Sequence, residues 1–162
     1  MTPAIELLSE LGTPHSVHQY EHDSNTRSYG DEAVKALAVE ASRVFKTIVL
    51  QGKSARFDKP QLFVASVPVA ATVNLKKVSS FFNYKKLSTA SEEDIIRSTG
   101  YLLGGVSPLA QKLSLATVVD QSALTHKSIF LSAGKRGLEI ELEAKYLAQL
   151  CNAEFSSIAR FD

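Results

Sequence analysis

Lys46 is the first residue whose type and position could do chemistry. It lies in Val44–Leu50, an apolar and β-branched stretch that predicts a strand. Because side chains alternate across a strand, Lys46 shares one face with Val44, Ile48 and Leu50. A buried ammonium without a partner is costly, so Lys46 must reach a partner, line a cavity or extend along its stem to solvent.

Two glycine-rich segments further along the chain could bind a charged ligand through their backbone amides. The first is STGYLLGGVSPL at 98–109 and the second is SAGKRG at 132–137. Amides in such loops approach a ligand closely and bind phosphates or oxyanions, and Lys135 and Arg136 would suit a phosphate. Ordinary solvated turns explain both segments as well, so neither is specific alone.

The remaining motifs indicate no metal or cofactor chemistry. The sequence has no metalloprotease helix signature, zinc-type Cys/His cluster, P-loop or G-x-S-x-G elbow. His15, His18 and His22 fall near one extended segment, where surface or hydrogen-bonded histidines are a better interpretation than a metal site. Cys151 lies on an apolar helix and is more typical of a small core residue than of a nucleophile. We therefore expect no metal and no cofactor.

Charge is unevenly distributed, although the formal net charge is only +1. Residues 1–45 carry three basic and seven acidic side chains, residues 46–89 carry eight and one, and residues 90–162 carry seven and nine. The basic middle segment is either a solvated lysine face or a surface that attracts a phosphate backbone.

Length and composition predict one domain over residues 1–162. With 162 residues, 44% of them hydrophobic, the chain can bury roughly 70% of its unfolded surface. A single cysteine excludes an internal disulfide. The first residues lack the features of a secretory signal, and no apolar run approaches the roughly 20 residues that cross a bilayer. We therefore expect a cytoplasmic protein with no membrane partner.

Helix and strand patterns alternate along the chain. Helices are predicted after Thr2-Pro3, over Asp31–Val39, from Asn74 to Phe82, from a Ser91/Asp94 capping box, and over Glu143–Leu150. Strands are predicted at Ser16–Tyr20, Val44–Leu50, Gln61–Val67, Thr117–Asp120, Lys127–Ser132 and Leu138–Leu142. The second and third strands would form a hairpin around the polar stretch Gln51–Lys59, and a short tail would end the chain.

Short connections between these strands favour antiparallel pairing. The predicted fold class is therefore α/β of the α+β type, with a mixed, mostly antiparallel sheet or a partly closed barrel and helices around it. A doubly wound parallel sheet is not expected.

The order of these segments resembles the YbaK family of aminoacyl-tRNA deacylases. The resemblance rests on YEHD at 20–23, YGDE at 29–32, FKT at 45–47 and the two glycine segments, and it extends over essentially the whole chain. The family is related to the editing domain inserted in bacterial prolyl-tRNA synthetases. Membership implies a mixed sheet with surrounding helices, and a cleft lined by the lysine strand and both glycine loops.

The resemblance also implies roles for particular residues. Lys46 matches the family's essential lysine, and Tyr20 matches a pocket tyrosine. Gly104 lies where a backbone amide is expected to contact the substrate, and Ser132 matches the serine that opens the second glycine loop.

Two further pocket positions, Tyr29 and Glu139, depart from the family. Phenylalanine is typical at the position of Tyr29, so a hydroxyl is added to the pocket. Aspartate is typical at the position of Glu139, so the carboxylate is longer by one methylene. These departures bear on fine substrate geometry rather than on the fold.

The activity implied by the resemblance is removal of cysteine mischarged onto proline tRNA, with the substrate's own thiol attacking its ester. The implied partners are mischarged tRNA and, in a transient complex, prolyl-tRNA synthetase. The rival interpretations are a deacylase for another amino acid such as alanine, a non-catalytic tRNA- or synthetase-binding module, and a structural partner of the synthetase.

Overall fold

A computed structural model describes residues 1–54, 56 and 58–162 of the chain. Its helices are α1 (Pro3–Leu11), α2 (Tyr29–Leu37), α3 (Leu75–Phe82), α4 (Glu92–Thr99) and α5 (Leu147–Cys151). Its strands are β1 (Ser16–Gln19), β2 (Phe45–Gly52), β3 (Gln61–Pro68), β4 (Thr72–Val73), β5 (Ser88–Thr89), β6 (Ala116–Asp120), β7 (Ile129–Lys135), β8 (Leu138–Leu142), β9 (Glu154–Ser156) and β10 (Ala159–Arg160). The polar stretch predicted at Gln51–Lys59 includes residues 55 and 57, which lie outside the described residues.

Side-chain caps begin three of the helices, α1, α3 and α4, where the sequence predicts them. The side chains of Thr2 and Asn74 accept backbone N–H groups in the first turns of α1 and α3. Ser91 Oγ likewise accepts the N–H of Asp94 at 3.2 Å. The Asp94 carboxylate does not complete a capping box, because it accepts a hydrogen bond from Arg97 at 3.1 Å instead.

The central sheet has the strand order β5-β2-β3-β6-β9. β2 and β3 form the predicted antiparallel hairpin, from the pair Phe45 and Pro68 to the pair Gly52 and Gln61. β3–β6 and β6–β9 are parallel, so the sheet is mixed. The remaining strands form the sheets β1-β8-β7 and β10-β4. The prediction of a mixed, mostly antiparallel α+β fold is confirmed, and the described strands do not close into a barrel.

The two larger sheets meet where β2 begins. An isolated bridge joins Val44, just before β2, to Phe130 on β7. Buried side chains from α1, β2, β7 and β8, among them Leu8, Phe45 and Leu131, pack into one core cluster beside this junction. Each fully buried leucine contributes about 1.5–3 kcal/mol, so the core beside the junction stabilises the elements that carry the site.

The C-terminal segment corrects the prediction of a short tail, because it adds β9 and β10 to two sheets. The carboxylate of Asp120 holds it in place. Its Oδ1 accepts the backbone N–H groups of Ile158 and Ala159 at 2.9 and 3.0 Å. The helix predicted at Glu143–Leu150 starts as a 3₁₀ turn at Ala144–Tyr146 before α5. No helix in the described part of the chain is both long and apolar enough to span a membrane.

Candidate active site

A cavity of about 310 Å³ lies at the junction of the two sheets. It is lined by Tyr29, Gly30, Phe45, Lys46, Thr47, Ile48, Val49, Thr89, Ile95, Leu103, Gly104, Val106, Ser132 and Glu139. The fold therefore brings five of the six predicted site residues together from α2, β2, the first glycine loop, β7 and β8. Tyr20 is the one predicted site residue that does not line this cavity.

Lys46 is half-buried and borders the cavity. Its ammonium forms no hydrogen bond and no ion pair with any of the described residues. Of the three environments that the strand pattern left open, the structure places Lys46 at a cavity without a protein partner. Its positive charge is therefore available to an anionic ligand.

Ser132 and Glu139 stand directly opposite each other on β7 and β8. Ser132 Oγ accepts the N–H of Gly134 at 3.1 Å, which leaves its own O–H able to donate to a ligand. Glu139 is only 8% exposed, and its Oε2 is buried with no partner among the described residues. Burial raises the pKa of the Glu139 carboxyl to about 7. The cavity therefore holds a carboxylate that lacks, and would accept, a hydrogen-bond donor.

Thr47 is a polar residue of the cavity that was not singled out from the sequence. Its Oγ1 is buried and, in the described structure, has no hydrogen-bond partner. Lys46 and Thr47 belong to opposite faces of β2, yet both border the cavity. The reason is that β5 pairs only with Leu50 and Gln51, so the first half of β2 has an open edge. The sequence signal that could have identified Thr47 as a cavity residue is its place directly after Lys46 in the FKT segment.

The Tyr29 ring contacts both a glycine and an arginine. A Cβ atom placed on Gly104 would lie 3.3 Å from Tyr29 Cζ, so the ring contacts the loop backbone. Gly104 also has a φ of +90°, which side chains other than glycine rarely adopt. Arg136 Cζ lies over the same ring, 4.7 Å from its centroid. The amide of Gly104 hydrogen-bonds to none of the described residues.

Arg136, which the sequence suggests for a phosphate, is instead engaged within the protein. Its guanidinium donates to the backbone carbonyls of Asp23 and Thr26 and pairs with Glu32 at 3.2 Å. Glu32 in turn accepts the N–H of Asp23 at 2.8 Å. Burial alone would raise the pKa of the Glu32 carboxyl, but these hydrogen bonds and the Arg136 charge hold it below its ordinary value. Arg136 thus fixes the segment that leads into Tyr29.

Tyr20 lies behind the cavity. Its backbone N–H donates to the carbonyl of Gly137 at 2.9 Å, and its side chain packs beside Val44 and Phe130. Burial, followed by the nearby charge of Glu139, raises the pKa of the Tyr20 hydroxyl to about 12. Tyr20 therefore borders the environment of Glu139 rather than the cavity itself.

The described residues place no thiolate or metal cluster at the cavity. Burial raises the pKa of the Cys151 thiol to about 11, and its Sγ donates to the carbonyl of Leu147 away from the cavity. His18 contacts Glu141 at 2.9 Å. No three His, Cys, Asp or Glu side chains of the described residues come close enough to hold a metal. The arrangement can bind and orient a ligand that carries both positive and negative groups.

Comparisons with known proteins show the family of the chain. Residues 23–150 match the family model of the aminoacyl-tRNA editing domain. The chain is 29% identical to EbsC of Enterococcus faecalis, a proposed Cys-tRNA(Pro)/Cys-tRNA(Cys) deacylase, over 97% of this chain and 92% of that protein. It is 32% identical to the proline–tRNA ligase of Limosilactobacillus fermentum, over 56% of this chain and 16% of the ligase.

The fold has a close structural counterpart. A proposed trans-editing enzyme for prolyl-tRNA synthetase superposes with a TM-score of 0.80 at 20% identity, over 99% of this chain and 98% of that one. At this identity the likeness establishes the fold.

Proposed function

The chain belongs to the aminoacyl-tRNA editing domain family, and from that membership we propose that it removes cysteine mischarged onto proline tRNA. The observation that carries the proposal is the composition of the cavity: Lys46, the Gly104 amide and the Glu139 carboxylate all lack partners among the described residues. A cavity so equipped suits a substrate that brings its own nucleophile. Support for cysteine comes from the name of the Enterococcus faecalis relative, which aligns over 97% of this chain.

The proposed reaction is an internal displacement. The cysteine thiol loses its proton, and the sulfur attacks the carbonyl carbon of the same aminoacyl ester. A carbon–sulfur bond forms, the bond to the ribose oxygen breaks, and that oxygen takes up a proton as the tRNA leaves. The resulting thiolactone is opened by water in solution. A thiol with a pKa of about 8.5 is partly ionised near neutral pH, so the nucleophile is available without a protein base.

The protein's part in this step is positioning and charge stabilisation. We assign Glu139 to the α-ammonium group of the aminoacyl moiety, because its Oε2 is buried without a partner among the described residues. The Gly104 N–H and the Ser132 hydroxyl are assigned to the ester oxygen that gains charge. Lys46 would hold the terminal phosphate or orient the terminal adenosine. Holding sulfur and carbonyl in attack geometry supplies several kcal/mol, from which the strain of the small ring is subtracted.

Three esters of proline tRNA test the thiol requirement, namely those of cysteine, S-methylcysteine and alanine. The expected result is rapid release of cysteine, with the other two esters close to spontaneous hydrolysis. S-methylcysteine is the control for the thiol, because it keeps the sulfur of cysteine but its added methyl group removes the ionisable proton. Release of alanine at a rate comparable to cysteine would remove the thiol from the mechanism and favour the rival specificity. Binding of the tRNA without release of any amino acid would reject the enzymatic interpretations and favour a non-catalytic tRNA-binding module.

Lys46→Ala tests the site itself. Lys46 is assigned to positioning, and misplacing the reacting atoms by about 1 Å can lower a rate by about 10²-fold, so a loss of that size is expected here without unfolding. Lys127→Ala is the matched control, since Lys127 is exposed and does not line the cavity. Near wild-type deacylation by Lys46→Ala would refute the role assigned to this residue.

Selection of proline tRNA is proposed to depend on a transient complex with prolyl-tRNA synthetase. The shared segment with a proline–tRNA ligase supports a common substrate. Deacylation of cysteine-charged proline tRNA in competition with cysteine-charged cysteine tRNA, with and without the synthetase, tests this dependence. A preference for proline tRNA that is unchanged by the synthetase would contradict it.

A further inference from the structure

A groove lined by lysines lies beside the candidate active site, and we propose that it binds the phosphate backbone of the tRNA acceptor arm. This proposal rests on the proposed function, because the esterified end of the same RNA would occupy the active-site cavity. The groove consists of two adjoining cavities of about 800 and 730 Å³ that share Lys53 and Lys86. The lysines of this lysine groove are Lys53, Lys59, Lys76, Lys85 and Lys86.

The charges of the lysine groove are exposed and uncompensated. None of its five lysines forms an ion pair or hydrogen bond with any of the described residues. Among the described residues that line it, Asp58 is the one acidic side chain. Five positive charges therefore face one negative charge across a concave surface. Such a surface concentrates a polyanion, because low-dielectric walls focus the field in a cleft.

The position of the lysines on α3 is not explained by the stability of that helix. Lys76 and Lys77 occupy the first turn of α3, which has no acidic residue. A cation at a helix N-terminus is disfavoured by the helix dipole, whose positive end lies there. The first turn of α4, by contrast, carries three acidic residues, which the helix dipole favours. A bound phosphate would offset the unfavourable interaction at α3.

The groove is built on packed elements rather than on a loose tail. Tyr84, at its floor, packs so closely over Gly52 that a Cβ atom there would lie 2.6 Å from the ring. The Tyr84 hydroxyl also hydrogen-bonds to Gln61 Oε1 at 2.7 Å. The backbone next to Lys53 and Lys85 is therefore packed, and the groove lies on folded elements of the chain.

The groove and the active-site cavity are close enough for one RNA to occupy both. β5 separates them, with Ser88 lining the groove and Thr89 lining the cavity. Lys53 follows Lys46 by seven residues, which corresponds to about 23 Å along an extended strand. With the terminal ester in the cavity, the phosphates further along the acceptor arm would lie over the groove.

Binding of deacylated tRNA over a series of salt concentrations tests the proposal without requiring catalysis. The test variant is Lys53→Gln/Lys76→Gln/Lys86→Gln. A control of equal charge change is Lys112→Gln/Lys127→Gln/Lys145→Gln, whose positions lie outside the groove. The slope of log K against log salt is negative, and each lost lysine–phosphate contact reduces its magnitude by about 0.7–0.9. The magnitude of the slope should therefore decrease by about 2–3 in the test variant, because three contacts are lost, and the control should keep the wild-type slope.

The outcomes separate this proposal from the proposed function. A wild-type slope in the test variant would overturn the groove, whether or not the protein deacylates an ester. A reduced slope with no deacylation of any ester by the wild-type protein would support the groove and reject the proposed function. An unchanged affinity for tRNA combined with lost binding to prolyl-tRNA synthetase would overturn the proposal in favour of a protein partner. Thermal unfolding of both triple variants checks that each is folded.

Discussion

Replacing Glu139 by glutamine should change how the stability of the protein depends on pH. The carboxyl is buried, and its pKa is raised from 4.5 to about 7. Between these values the folded protein holds a proton that the unfolded chain has lost, so stability falls as pH rises through this window. Over an interval of about 2.5 pH units, at about 1.36 kcal/mol each, the loss is about 3 kcal/mol.

Glu139→Gln removes this titration while keeping the size of the side chain. The amide brings donors that the cavity does not satisfy, which costs about 1–3 kcal/mol at every pH. The informative quantity is therefore the difference in unfolding free energy between variant and wild type, measured by urea unfolding at pH 4.5 and pH 8. That difference should shift by about 3 kcal/mol in favour of the variant at the higher pH, or by roughly 6–12 °C in Tm.

Glu141→Gln supplies a control on the same strand, whose effect has the opposite sign and falls at lower pH, around and below 4.5. Hydrogen bonds from Ser128 and His18 hold the pKa of the Glu141 carboxyl below its ordinary value. This carboxylate therefore stabilises the fold above the unfolded pKa, and the contribution is lost as pH falls through the folded one. If the Glu139→Gln difference is the same at pH 4.5 and pH 8, the carboxyl does not carry a raised pKa, which would contradict its burial without a partner among the described residues.

Three further predictions follow from other contacts. Arg136→Met should raise KM for the aminoacyl ester about tenfold and speed amide exchange at Asp23, whereas unchanged exchange measured by NMR would show that Arg136 does not hold this segment. Gly104→Ala should cost about 1–3 kcal/mol in thermal unfolding and lower turnover, because of its positive φ and the contact with Tyr29. A fully active and equally stable variant would contradict that. Asp120→Ala should cost about 3 kcal/mol in urea unfolding by leaving two buried N–H groups without acceptors, and a loss below 1 kcal/mol would be inconsistent with the account.

Local chemistry made much of the fold predictable. Thr2, Asn74 and Ser91 are polar caps followed by helical patterns, and each begins a helix in the structure. The hairpin of β2 and β3 was predictable from two apolar runs around a polar stretch. The strands of two or three residues, β4, β5, β9 and β10, were not predicted, because so short a segment shows no periodicity. Their pairing depends on distant groups such as the Asp120 carboxylate.

The candidate site was predictable in its members but not in its geometry. Strand alternation placed Lys46 among apolar neighbours, yet the open edge of β2 that also exposes Thr47 to the cavity depends on where β5 ends. Alternation likewise put Glu139 and Glu141 on one face of β8. Only tertiary packing gives Glu141 its partners and leaves Glu139 buried without one among the described residues. The sequence suggested a phosphate as the partner of Arg136. Its actual partners, the carbonyls of Asp23 and Thr26, are more than 100 residues away in the sequence, so local patterns could not reveal them.

The pairing of β1 with β8 has a consequence for biosynthesis. Ser16 is paired with Glu141 and Gln19 with Leu138. β1 therefore cannot pair until β8, about 120 residues further along the chain, has been synthesised. β9, which completes the central sheet, is synthesised later still. Contacts of such long sequence separation slow folding, because the loop must close before they form. The active-site cavity, which needs Glu139, is therefore expected to assemble only after β8 and β9 have been synthesised, so nascent chains that stop before β8 should not deacylate tRNA.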